Sequence, residues 1–145
     1  MRQRGGRGEE GAVLVEFAFV FALFVFILYA LIAFGMALSL KHSVTHSAGE
    51  GARAAVGVVD DPLTADDERE KAAVDEAKES LDWIGTEKLD VTTITATAEP
   101  CGTNECMKVE ITYPYKDKPI VPEAPGLGVM TPDTMSSTAV VKISN

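Results

Sequence analysis

The sequence predicts an α+β protein: a long N-terminal transmembrane helix that continues into an extracytoplasmic domain with a second helix and a three-stranded antiparallel sheet. Three observations carry that expectation. Phe17–Leu40 contains no charged residue. Beyond it the apolar spacing is helical as far as Ile84, and after Gly85 it alternates. Charge is divided as unevenly as hydropathy: Asp60 to Asn145 holds 18 acidic and 8 basic residues, a formal charge of −10. An acidic domain repels nucleic acid and anionic head groups, so no nucleic-acid partner is expected.

The uncharged run is 24 residues long. At about 1.5 Å of rise per residue it spans roughly 36 Å, enough to cross a hydrocarbon core of about 30 Å with some tilt. A cleaved secretory signal has a shorter apolar core of about 7–15 residues, so a retained anchor in the cell membrane is expected. Arg2, Arg4 and Arg7 precede the run, while Lys41 and Arg53 follow it. The positive-inside rule then puts the N-terminus in the cytoplasm and the acidic domain outside, a single-pass arrangement.

No proline stands before Pro62, so nothing stops the helix at the lipid boundary. Val44, Ala48, Ala52, Ala55 and Val59 recur at helical spacing, and one helix is expected from about Ala12 to about Val56. Gly49 and Gly51 weaken it by about 1 kcal/mol each, which close backbone packing would justify. The chain thus divides into a cytoplasmic segment 1–11, a helical segment 12–59 crossing the membrane over about 13–40, and a domain at 60–145.

"DDPLT" breaks the first helix, and Thr64 is a good N-cap for a second, with Asp66, Asp67 and Glu68 in its first turn. That helix is expected to reach about Ile84 and stop at Gly85, burying Ala73, Ala77, Leu81 and Ile84, with Val74 and Trp83 at the margins. Its charged face reads as solvation. "LDVTTITATA" is rich in β-branched residues and reads as a strand. "MKVEITYPY" places Met107, Val109, Ile111 and Tyr113 on one face. "TMSSTAVVKIS" does the same with Met135, Ser137, Ala139, Val141 and Ile143. The last two strands are separated by about 18 Pro/Gly-rich residues whose Ile120, Val121, Leu127, Val129 and Met130 suggest packing against the domain or a partner.

Cys101 and Cys106 flank Gly102-Thr103-Asn104, which is turn chemistry joining the first two strands. An extracytoplasmic location permits a disulfide between them. The competing reading is a redox or metal pair, although no further Cys or His lies nearby and the spacing is not Cys-x-x-Cys. No cofactor is expected. The sequence carries no phosphate loop, nucleophile elbow or His-Glu-x-x-His, so an enzyme is not expected. His42, His46 and Glu50 share one helix face just past the span. Their outer members stand about 12 Å apart along the axis, too far to converge on one ion. Polar residues at a membrane interface are the simpler reading.

"RGEEGAVLVEF" places Gly11 directly before the span and Glu16 five residues later. This resembles the processing site of type IV prepilins. "GAVLVEFAFVFALFVF", "AFGMAL" and "HSAGEGARAAV" narrow the likeness over residues 11–56: the chain resembles the TadE-like family of the tight-adherence (Tad/Flp) pilus system. Glu9 and Glu10 depart from the basic leaders typical of prepilins, and "AFG", with Phe34 before Gly35, stands where many relatives have Glu-Phe-Gly. The resemblance implies a pilin-like fold and a minor pilin or pseudopilin role in pilus initiation, assembly or structure. It implies a prepilin peptidase cutting between Gly11 and Ala12, and Glu16 as the assembly carboxylate paired with a free terminal amine. Its implied partners are other pilins or pseudopilins, the Tad membrane assembly platform and the lipid bilayer, with a location in the membrane or the pilus. Ala18, Ala22, Ala33 and Ala37 lie at spacings suited to helix–helix contact. The alternative is an unprocessed signal-anchored binding module, with Glu16 reaching head groups near the cytoplasmic interface.

Overall fold

In a computed structural model of the chain, residues 7–58, 65–122 and 132–143 are described. The fold class is the expected one. Helix α1 (Arg7–Gly57) and helix α2 (Ala65–Ser80) precede a 3-10 turn (Asp82–Ile84) and a short helix α3 (Thr86–Leu89). Strands β1 (Thr93–Cys101), β2 (Asn104–Tyr113) and β3 (Met135–Ile143) follow, forming an antiparallel sheet in the order β1-β2-β3. The chain divides into two compact units, Met1–Gly35 and Met36–Asn145. The described residues of the first, from Arg7 onward, belong to α1, and the most apolar 18-residue window of that helix has no buried residue.

The second unit has one core. Leu40, Val44, Ala48, Ala52 and Ala55 of α1 meet Ala73 and Ala77 of α2, Leu81, Ile84, and the inward sheet residues Met107, Val109, Ile111, Tyr113, Met135 and Ile143. Alternation in β2 and β3 places every one of those strand residues on the same face. The opposite face is polar, with Thr93, Thr95, Thr97, Ser136 and Thr138 exposed.

The α1–α2 crossing is built from small residues. A Cβ on Gly51 would stand 2.6 Å from the Ala73 carbonyl oxygen and 3.2 Å from the Ala77 Cβ, so only glycine permits the approach. Gly49 meets open space, and close packing does not account for it. Beside Gly51 the buried Ser47 hydroxyl donates to Ser80 Oγ at 2.8 Å.

Three boundaries differ from the sequence reading. α1 begins at Arg7 rather than Ala12, since no proline there ends it. α2 stops at Ser80: the Leu81 and Ile84 amides bond to the Lys78 and Leu81 carbonyls, tightening the chain into a 3-10 turn that still directs Ile84 inward. Gly85, at φ 88°, takes a conformation L residues rarely adopt and lets α3 start at Thr86. α3 consumes Leu89, so β1 begins at Thr93 and runs through Pro100 to Cys101. The N-cap at Thr64 lies outside the described residues, as do Leu127, Val129 and Met130 of the long loop. The described neck of that loop is closed by the Lys116 amide on the Asp133 carbonyl and by a Lys116–Asp133 ion pair at 3.0 Å. Ile120 packs against the core.

Both sheet edges expose backbone groups, and side chains from the helices reach each one. Glu70 of α2 accepts the Ala98 amide of β1 at 3.2 Å. Lys41 of α1 donates to the Ser136 carbonyl of β3. Outward groups alternate along an antiparallel edge, so Pro100, two residues from Ala98, turns its missing N–H away from β2.

Candidate functional site

The N-terminal part of α1 carries the residues that the sequence singles out. Gly11 and Ala12 lie inside the helix, with nothing within 4 Å of the position a Cβ would take on Gly11. Ala12 and Glu16 are related by i, i+4, so the Ala12 backbone nitrogen and the Glu16 side chain share one helix face about one turn apart. Glu16 is exposed, and among the described residues no side chain pairs with it. One turn on, Phe17 and Phe21 stack with ring centroids 5.9 Å apart. The exposed surface here is almost wholly apolar, from Val13 to Leu28. A lone carboxylate in that setting is unfavourable in lipid by a few kcal/mol or more unless a cation meets it.

The small residues of α1 are used in different ways. Ala18 and Ala22 are exposed and Ala33 is half-buried. Ala37 packs against the core of its own domain, so it is committed within the chain.

Farther along α1 the sequence "EGARAA" has a readable structural logic. Gly51 admits α2, Ala52 and Ala55 enter the core, and Arg53 points outward. Arg53 Nη1 donates to Glu50 Oε1 at 3.0 Å, and His46 Nε2 stands 3.6 Å from the same oxygen. Glu50 is therefore engaged along its own helix, and His42 is exposed one turn earlier.

At the β1–β2 hairpin, Cys101 and Cys106 form a disulfide. The turn is shorter than the sequence suggested. Asn104 already pairs with Cys101, leaving Gly102-Thr103 as a two-residue loop with Gly102 at φ 73°. Positive φ at the first central residue alone fits a type II′ turn.

Residues 11–53 match the family model described as TadE-like protein. The match covers the apolar span and the start of the α1–α2 crossing, and it ends at Arg53, before α2 and the sheet. No curated protein and no solved structure matches the chain. Over this segment the chain is similar to TadE-like proteins, and α1 is long and apolar enough to cross a membrane.

Trp83 is the residue whose position the sequence conveyed least. It was expected at the margin of α2's buried stripe, yet it is 50% exposed between the buried Leu81 and Ile84. The available signal was a lone tryptophan in an otherwise charged stretch.

Proposed function

We propose that the chain is a minor pilin or pseudopilin of a Tad/Flp-type pilus, held in the membrane by α1 with its N-terminus in the cytoplasm and its acidic domain outside. A prepilin peptidase would cut between Gly11 and Ala12, and the new amine would serve Glu16, in the same chain or in a neighbouring subunit. The observation that supports this most is a carboxylate with no side-chain partner among the described residues, inside a segment similar to TadE-like proteins that begins at Gly11. Ala12 and Glu16 share a helix face, so cleavage creates a cation within one turn of the group that needs it. A buried pair of this kind specifies register more than it stabilises.

The exposed apolar surface of α1, with Ala18 and Ala22 on it, would meet the helices of other pilins in the assembled state. The assembly platform would receive the same surface while the protein waits in the bilayer. Glu16→Ala tests this. The variant is expected to insert and fold normally and to lose pilus assembly, while Glu16→Asp retains part of it. Normal pili carrying Glu16→Ala would sink the pairing role.

One observation favours an unprocessed signal anchor. The Gly11–Ala12 bond is helical, and peptidases act on extended backbone, so the first turns must open before cutting. Helix ends fray readily, which keeps processing accessible.

A further inference from the structure

Two contacts fix how α1 and α2 run past each other. Ser47 meets Ser80, and Gly51 faces Ala73 and Ala77. Moving from Gly51 back to Ser47 is moving toward the apolar span, and the same displacement along α2 leads from Ala73 to Ser80. The helices are antiparallel, and the chain after Ser80 heads for the level at which α1 leaves the uncharged run. Ser47 is seven residues beyond Leu40, so Ser80 stands about 10 Å past Leu40 along the α1 axis. The 3-10 turn then holds Leu81 and Ile84 in the core. Three residues at about 2 Å of rise each keep Trp83 within roughly 6 Å of the level of Ser80.

The sheet marks the same level independently. Lys41, the first charged residue after the span, donates to the carbonyl of Ser136 near the start of β3. Tyr113 pairs with Met135, so the end of β2 lies there too. Lys118 donates to Glu87 of α3 at 2.7 Å, tying the chain after β2 to the element that follows Trp83. Leu40 is fully buried and Ala37 packs on the core, so the core of the domain reaches the last turn of the uncharged run.

We propose that this end of the domain rests in the headgroup layer of the bilayer crossed by α1, with Trp83 as its interfacial anchor. The headgroup layer on each side of the hydrocarbon is about 5–7 Å thick. An indole has an apolar body and one N–H donor, which suits the boundary between acyl chains and head groups. The bilayer is the occupant argued for because Ala37 and Leu40, at the close of the uncharged run, share one core with Leu81 and Ile84. Glu79 and Asp82 flank Trp83 and oppose anionic lipid, so the contact is the partition of the indole among zwitterionic head groups and is insensitive to salt.

The proposal rests on α1 spanning the membrane and is independent of cleavage at Gly11. Trp83 is the single tryptophan, so the wild-type chain reports on itself. The full-length protein is reconstituted in phosphatidylcholine vesicles, with insertion checked by flotation. Its emission is expected at shorter wavelength than that of a water-exposed indole, quenched by lipids brominated near the head group, weakly quenched by acrylamide and unchanged by salt. A Trp83→Phe, Val140→Trp chain is the control. Val140 is 61% exposed and lies five residues along β3 from Met135, about 16 Å from that end, so its indole should be open to acrylamide and untouched by lipid bromine. If inserted wild-type protein behaves like the control, the anchor is refuted. A chain that fails to float refutes both the anchor and the span. The vesicles contain no peptidase, so neither result bears on processing.

Discussion

Gly49 and Gly51 stand two residues apart on nearly opposite faces of one helix turn and meet opposite surroundings. Gly51→Ala forces a methyl against the Ala73 carbonyl, which cannot yield without moving α2. A loss of about 1–3 kcal/mol is expected, the range for overpacking, read as a lowered thermal midpoint of the full chain in detergent. Gly49→Ala fills open space and should gain up to about 1 kcal/mol from helix propensity in the same assay. The two glycines look alike in the sequence because their difference depends on α2, which is placed by the tertiary fold. Glu87 gives a second residue-scale expectation. Its hydrogen bond and ion pair with Lys118 hold its carboxyl below the ordinary value of 4.5. A depressed carboxylate contributes stability that is present above that value and lost as pH falls through the folded pKa. Between those limits Glu87→Gln should flatten the acid limb of the stability curve slightly, as measured by denaturation at a series of pH values. The effect is small because Glu87 is fully exposed.

At the scale of elements, the inward faces of β2 and β3 and the stripe Ala73, Ala77, Leu81, Ile84 were legible, because burial imposes a period of two or of about 3.6 residues. The 3-10 turn and α3 were not. Four residues of helix make barely one period, and Gly85 read as a stop concealed the restart at Thr86. The closure of β1 by Glu70 was also invisible, since it joins residues on different elements. Glu70→Ala should leave the Ala98 amide unsatisfied, speeding its hydrogen exchange and destabilising by about 1–2 kcal/mol. The hairpin disulfide closes a short loop and should contribute about 2 kcal/mol on the chain-entropy account. Comparing thermal midpoints with and without reductant measures it.

For the molecule as a whole, two materials are joined by one helix: an apolar segment with a single carboxylate and an acidic α+β domain. The candidate site was readable because it is local, with Gly11, Ala12 and Glu16 within two turns of one another and their spacing visible in the sequence. The place of Ser80 and Trp83 beside Ser47 was not, because it depends on how α2 doubles back along α1. Like charge makes the acidic domains of neighbouring copies repel one another. Close packing of copies would therefore rely on α1, and the central claim is that α1 becomes competent for this when its N-terminus is cut. The mass of the mature chain tests it most directly. Protein recovered from cells with an active prepilin peptidase is expected to begin at Ala12, and from cells without it at Met1. A chain that begins at Met1 in both would contradict the account.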